Sequence, residues 1–174
     1  MSDAPLENLT FMIVDDNRHM RLLVGKLLRS FGAAKVVNAR DGAEAIDILR
    51  HTATDIVVAD YQMEPMNGVE FTRRIRDGVD GIDPTLAIVM MSGHSERYRV
   101  ERARDAGVNE YLAKPVTAQS LYDHVAQIVN NPRAFIRSPD YSGPDRRRRD
   151  APGYRGPRRR WTDQVDAEIE DVRL

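Results

Sequence analysis

The residues with chemical potential stand where short apolar runs stop. Asp15 and Asp16 follow Leu9-Thr10-Phe11-Met12-Ile13-Val14, and Asp60 follows Ile56-Val57-Val58-Ala59. Ser92 follows the run from Leu86 to Met91, and Lys114, with Pro115 behind it, follows Tyr111-Leu112-Ala113. A single aspartate after an apolar run is ordinary surface. An acidic pair, a third carboxylate, a hydroxyl and an ammonium at run ends form a set. Carboxylates brought together repel one another, and a hard divalent cation with oxygen ligands, Mg²⁺, lets them coexist. Asp60 held against such a cation is a nucleophile towards a phosphoryl group, forming an aspartyl phosphate. Lys114 and the Ser92 hydroxyl then hold the phosphoryl oxygens.

The elements that must bring these residues together follow from periodicity. Arg18 to Phe31 carries Met20, Leu23, Leu27 and Leu28 at helical spacing and stops at Gly32. Val36-Val37 reads as a small strand, and Asp41 caps a helix carrying Ala45, Ile46 and Leu49. Val69 opens a third helix, Glu96 to Ala106 a fourth that ends at Gly107, and Leu121 to Val129 a fifth. Five strands alternating with five helices over residues 6–130 predict an α/β domain, a doubly wound five-stranded parallel sheet covered on both faces. In open sheets of this kind the site lies beyond the carboxyl ends of the strands, which is where the polar set falls. His19, His51, His94 and His124 are scattered without metal-ligand spacing.

These residues resemble the receiver domain of bacterial response regulators, the CheY-like family with a flavodoxin-like fold. Asp15-Asp16, Asp60, Ser92 and Lys114-Pro115 match its acidic pair, phosphoacceptor, switch hydroxyl and Lys-Pro, and Tyr111 matches its aromatic switch position. Asp60-Tyr61-Gln62-Met63-Glu64-Pro65-Met66-Asn67-Gly68 is similar to the loop after the phosphoacceptor. The resemblance implies a cis Lys114-Pro115 peptide and Mg²⁺ held by Asp15, Asp16, Asp60 and the Gln62 carbonyl. It also implies a sensor kinase or phosphotransfer protein as phosphodonor, and a switch rather than a turnover enzyme.

Residues 131–163 are of a different kind. The chain as a whole is 174 residues with a net charge of −1, but residues 133–160 hold ten Arg, no Lys and three acids. Five of the nine prolines fall within 132–157, which predicts an irregular segment. It is internally duplicated. Pro139-Asp-Tyr141-Ser-Gly143-Pro144-Asp-Arg146-Arg147-Arg-Arg-Asp150 recurs as Pro152-Gly-Tyr154-Arg-Gly156-Pro157-Arg-Arg159-Arg160-Trp-Thr-Asp163, so both copies read P-x-Y-x-G-P-x-R-R-x-x-D.

Attraction to a polyanion asks only for positive charge, which Lys would supply. A repeat that fixes Tyr, Gly-Pro, Arg-Arg and Asp asks for a shaped ligand. Arg bonds guanine at O6 and N7, and a nearby carboxylate accepts from the N1–H and N2–H₂ edge. Tyr141, Tyr154 and Trp161 offer stacking surfaces. A duplicated unit suits a ligand with two equivalent halves, such as cyclic di-GMP. Arg147-x-x-Asp150 and Arg160-x-x-Asp163, with Arg137-x-x-Asp140 as a third instance, resemble the element that holds this dinucleotide in the inhibitory sites of its synthases.

The whole chain therefore resembles the CheY-like cyclic di-GMP effectors of flagellated bacteria, receivers with an arginine-rich tail. That resemblance implies a tail ordered by the dinucleotide and a receiver that docks on the flagellar motor switch protein. The alternatives are a phosphorelay receiver whose tail binds RNA or DNA, and one whose tail is a solvated linker. Whether the receiver contributes to the ligand site stays open. Trp161, Val165, Ile169 and Val172 lie on one stripe, predicting a short amphipathic helix over 162–173. The absence of cysteine excludes disulfides and thiol chemistry. The N-terminus lacks the basic stretch and apolar run of a signal peptide, and no window is long and apolar enough to span a bilayer, so a cytoplasmic protein without a membrane partner is expected.

Overall fold

The fold is seen in a computed structural model, which describes residues 6–78 and 80–147. The sheet strands are β1 (Thr10–Val14), β2 (Lys35–Ala39), β3 (Ile56–Asp60), β4 (Ala87–Ser92) and β5 (Glu110–Ala113). They alternate with α1 (Arg18–Ser30), α2 (Gly42–Leu49), α3 (Gly68–Asp77), α4 (Arg97–Ala106) and α5 (Ala118–Asn130). All sheet pairings are parallel, in the order β2-β1-β3-β4-β5. Chain order reverses between β1 and β3, so the crevice of this fold opens beyond their carboxyl ends.

Central position explains why Ile56–Ala59 form an unbroken apolar run: they, and Asp60 at the strand's end, are buried because both sheet faces are covered. One layer of core, with Met12, Val57, Ile88 and Met90, packs against Ile46, Phe71, Ile75 and Ala103 of α2, α3 and α4. The opposite layer, with Phe11, Ile13, Val58, Val89 and Met91, packs against Val24 and Leu28 of α1 and Leu121 and Val125 of α5. The starts of α1, α2, α3 and α5 are set by short polar side chains that satisfy first-turn N–H groups. Asn17 accepts from the His19 and Met20 amides and Asp41 from the Glu44 amide. Asn67 with Glu70, and Thr117 with Ser120, form reciprocal capping pairs. Gly107, in the left-handed region at φ 99°, ends α4 where the sequence places the stop.

The structure departs from the sequence reading in the first third of the tail. Phe135–Ser138 (β6) and Tyr141–Pro144 (β7) pair as an antiparallel hairpin, with Phe135 opposite Pro144 and Ser138 opposite Tyr141. The prolines punctuate this hairpin without interrupting it. Pro132 precedes it and Pro139 sits in the two-residue turn. Pro144 ends β7, where its missing N–H costs no ladder bond. The hairpin packs on α3 and α4. Gly143 lies so close to Gly107 that a Cβ on it would come within 2.7 Å of the Gly107 Cα and 2.6 Å of the Tyr141 hydroxyl. Ser142 Oγ donates to the Arg76 carbonyl. The expected helix over 162–173 lies outside the described residues.

Among the described residues Arg76 is the largest fully buried side chain, and no carboxylate among them pairs with it directly. It donates to four acceptors: the carbonyls of Gly107, Pro84 and Leu86 and the side-chain oxygen of Asn109. Burial pushes its pKa down to about 10. Its guanidinium lies 5.7 Å from the Phe135 ring centroid, so one cation ties α3, the turn before β4, the start of β5 and the hairpin together.

Candidate phosphoryl site and tail

The carboxyl end of β1 carries Asp15 and Asp16, that of β3 carries Asp60, and that of β4 carries Ser92. Carboxylate oxygens of Asp15, Asp16 and Asp60 lie within 4.8 Å of one another. Asp15 is fully buried, Asp60 nearly so, and Asp16 is exposed at the mouth. Lys114 reaches over from the end of β5, its Nζ 3.0 Å from Asp60 and 3.4 Å from Asp15. The Lys114-Pro115 peptide is cis, as the resemblance implies, and so is Glu64-Pro65 in the loop after Asp60.

Burial pushes the Asp60 carboxyl above its ordinary pKa. The Lys114 hydrogen bond and charge oppose that rise, and the charges of Asp15 and Asp16 add to it. For Lys114 burial pulls downward, but the bond to Asp60 and the charges of Asp60 and Asp15 outweigh it, so its pKa is raised. Three carboxylates against one ammonium leave an excess of negative charge in an all-oxygen donor set, which fits a hard divalent cation. Among the described residues this is the one cluster of potential metal-ligating side chains.

Neighbours hold the set in place. Asp15 Oδ1 accepts from the Asn17 amide at 2.7 Å, and Arg21 donates to the carbonyls of Asp15 and Asp16. Gly68 permits the first turn of α3 to close on Asp60: a Cβ there would fall 2.4 Å from the Asp60 carbonyl oxygen. Ser92 Oγ accepts from the His94 amide. The Tyr111 hydroxyl donates to the His94 carbonyl, which links the aromatic at the switch position to the loop after Ser92. Gln62 lines the mouth of the crevice with Asp16 and Tyr61, and Arg99 of α4 lies over the Tyr61 ring. The contributions of Arg99, Gly68 and Arg21 were not visible in the sequence, where nothing separates them from other helical arginines and loop glycines.

The tail residues are placed differently. Arg137 is exposed on β6 and Asp140 is exposed in the turn. Tyr141 and Arg146, both expected at a ligand, engage each other: the Arg146 guanidinium lies 3.8 Å from the Tyr141 ring centroid. The Tyr141 hydroxyl donates to the Pro144 carbonyl, and Arg146 pairs with Asp105 at the end of α4. Arg147 is exposed, with its amide bonded to Asp145. The described part of the first repeat, residues 139–147, thus packs on the receiver through its Tyr141, Gly143 and Arg146. Asp150, Tyr154, Arg159, Arg160, Trp161 and Asp163 lie outside the described residues.

Comparison with known proteins agrees with this geometry. Residues 11–126 match the response regulator receiver domain family. The chain is 34% identical over 122 residues to chemotaxis protein CheY-3 of Vibrio cholerae, covering 70% of this chain and 92% of that one. It is 33% identical over 120 residues to chemotaxis protein CheY of Pseudomonas aeruginosa, covering 69% and 95%. Among solved structures, Vibrio cholerae CheY4 superposes with a TM-score of 0.64 at 24% identity, covering 70% of this chain and 98% of that one. The receiver domain of a Pseudomonas aeruginosa sensor histidine kinase, described with a magnesium ion coordinated in its active-site cleft, superposes with a TM-score of 0.61 at 25% identity, covering 70% and 97%. The chain belongs to the response regulator receiver family, and its relatives include chemotaxis proteins of the CheY type.

Proposed function

We propose that this chain is a phosphorylatable single-receiver response regulator that binds cyclic di-GMP through its duplicated tail. Its output is protein–protein docking on the flagellar motor switch. The observation that carries the reading is the conjunction of a CheY-type receiver with two copies of P-x-Y-x-G-P-x-R-R-x-x-D directly after it. That its relatives are chemotaxis proteins supports an output in motility.

At the receiver, Asp60 Oδ attacks the phosphorus of a phosphohistidine or a small acyl phosphate. A P–O bond to Asp60 forms as the donor's P–N or P–O bond breaks, and the donor leaves with that bond's electron pair. Lys114, already within reach of Asp60, moves its charge onto the phosphoryl oxygens, and the Ser92 hydroxyl donates to one of them. Mg²⁺, held by Asp15, Asp16, Asp60 and the Gln62 carbonyl, supplies charge neutralisation when bound. The protein stores a phosphoryl group and does not turn over a substrate as an enzyme would. Retention of the phosphoryl group shifts the Ser92–Tyr111 region next to α4, the helix on which the hairpin also rests.

In the tail, ten Arg within 133–160 repel one another until an anionic ligand neutralises them. Arg residues take guanine O6 and N7 or phosphate, and the Asp of each R-x-x-D takes the N1–H edge. Calorimetric titration of the full chain tests the reading. Cyclic di-GMP is expected to bind, and cyclic di-AMP, whose adenine presents an amino donor in place of O6, is expected not to. Binding that accepts many RNA or DNA sequences and falls steeply with salt would instead establish a nucleic-acid tail.

A further inference from the structure

The mouth of the phosphoryl crevice is a cavity of about 350 Å³ between the loop after β3 and α4. That volume is within the range of small-molecule sites, roughly 300–1,000 Å³. Asp16, Tyr61, Gln62, Met63, Arg99 and Arg102 line it, and Glu64 and Asn67 complete the lining. Resting on the reading that Asp60 accepts a phosphoryl group, we propose that this cavity receives the acyl half of a small acyl phosphate. Arg102 takes the carboxylate that this half becomes on leaving. The receiver thereby favours acyl phosphates over donors whose leaving group is neutral.

The two arginines of the lining are employed differently. Arg99 is half-buried and committed: its guanidinium lies 5.4 Å from the centroids of both the Tyr61 and Tyr98 rings. Its Nε donates to the Tyr98 hydroxyl and stands 3.4 Å from Glu96. Arg102, three residues on and so on the same side of α4, is exposed, and its guanidinium takes no partner among the described residues. Other α4 arginines are paired, Arg97 with Glu101 and Arg104 with Asp105. Two acids share the lining with Arg99 and Arg102. Asp16 belongs to the carboxylate set that fits Mg²⁺, so with its charge taken there Glu64 alone faces two guanidiniums. The mouth is then net positive, which suits an anion. Tyr61 and Met63, both buried, supply an apolar wall for acyl carbon.

The transfer step separates the donor classes. In-line displacement puts the leaving group on the side of phosphorus away from Asp60, towards the open mouth. With an acyl phosphate, Asp60 Oδ bonds to phosphorus as the P–O bond to the acyl oxygen breaks, and that bond's electron pair leaves on a carboxylate. Negative charge grows on the departing oxygen, and a guanidinium meets a carboxylate with two parallel N–H bonds. With a P–N donor the nitrogen is already protonated when its bond breaks, and it leaves neutral with the electron pair. No charge grows there for Arg102 to stabilise. Asp60 and Lys114 serve both classes alike, so the difference between them is confined to the mouth.

The test is the rate of Asp60 labelling in the full chain with Mg²⁺, by acetyl phosphate and by phosphoramidate, a P–N donor. Arg102→Ala is expected to slow labelling by acetyl phosphate about tenfold, the loss of one charge-assisted contact, and labelling by phosphoramidate less than about twofold. Arg102→Lys keeps the charge without the planar fork and is expected to fall between. Arg97→Ala removes the same charge from an exposed α4 position outside the cavity and is expected to leave both rates unchanged. Melting temperatures are expected to match the wild type, since both positions are exposed and alanine suits a helix. Rates that Arg102→Ala leaves unchanged, or lowers equally for both donors, would overturn the selectivity and leave Asp60 phosphorylation standing. So would a wild type that phosphoramidate labels and acetyl phosphate does not. A wild type that neither donor labels would overturn both.

Discussion

At the rim of the sheet, the partners in the reactive set come from far apart in the chain: Lys114 meets Asp15 across 99 residues. In the hairpin the partners are neighbours: the Tyr141 hydroxyl meets the Pro144 carbonyl across three. The rim depends on topology, because the parallel sheet must form before its strand ends converge. The hairpin depends on local turn chemistry plus a few contacts with α3 and α4. Charge is used differently as well. At the rim it is concentrated and buried, so that Asp60 is pushed above its ordinary pKa by burial, with Lys114 opposing. In the described part of the tail Arg137 and Arg147 are exposed, and the half-buried arginines are engaged pairwise, Arg146 with Asp105 and Arg133 beside Glu110. A phosphoryl site built by the fold and the ligand site proposed for the repeat ought therefore to fail independently.

The largest expected effect is at the rim. Asp60→Asn removes the attacking carboxylate, so incubation with a small acyl phosphate and Mg²⁺ is expected to label the wild type and not the variant at all. Withholding Mg²⁺ is expected to suppress wild-type labelling, because three carboxylates with one ammonium are left under-neutralised. Cyclic di-GMP titration of Asp60→Asn is expected to match the wild type. A loss of ligand binding there would break the independence of the two regions.

Next in size is the complementary change. Arg147→Ala with Arg160→Ala removes two charge-assisted contacts, each worth about 1.5–3 kcal/mol, so the titration is expected to weaken by a hundredfold or more. Labelling at Asp60 and the melting temperature are expected to stay at wild-type values, since Arg147 is exposed. A double variant that no longer accepts phosphate would show that the tail reaches the rim.

The two regions also differed in how far the sequence disclosed them. The strands announced themselves as apolar runs ending at Asp15, Asp60 and Ser92, and Asp41 and Gly107 marked a helix start and a helix end where the structure has them. Burial on both faces forces such runs, and end chemistry forces such caps, so both leave a local trace. The hairpin left a misleading one, because proline content argued against regular structure. What decides is where each proline sits relative to the ladder, and that position is visible only once Phe135 is known to face Pro144. Arg76 was equally hidden. Its partners are carbonyls at residues 84, 86 and 107, and a backbone acceptor has no residue-type signature.

A smaller effect is expected from Gly143→Ala, which probes the seat of the hairpin. The added methyl would collide with the Gly107 Cα and the Tyr141 hydroxyl. One contact is backbone and cannot swing aside, so β7 must shift away from α4 at a cost of about 1–3 kcal/mol. Amide exchange across residues 135–145 is expected to speed up, while β1, β3 and β4, buried in separate core layers, keep their protection. Loss of protection throughout the sheet would mean that the hairpin is an integral part of the receiver core.

The smallest and most specific change is Tyr141→Phe. It deletes the hydroxyl that donates to the Pro144 carbonyl and leaves the ring under Arg146. A hydrogen bond of this kind contributes about 0.5–1.5 kcal/mol net. Because opening of the hairpin is local, the loss is expected in its own exchange rates, about fivefold for 1 kcal/mol, with little change in the global melt. The retained ring keeps the Arg146–Asp105 pair in place, so cyclic di-GMP binding is expected to fall by no more than a few fold. Tyr141→Ala removes the stacking surface as well, and is expected to loosen Arg146 and weaken binding further. Equal binding by Tyr141→Phe and Tyr141→Ala would show that the Tyr141–Arg146 stack does not position the proposed ligand site. Weakening by Tyr141→Phe as severe as that of the Arg147–Arg160 double variant would mean that the hydroxyl itself meets the ligand, and that the repeat exchanges its internal bonds for ligand bonds when it binds.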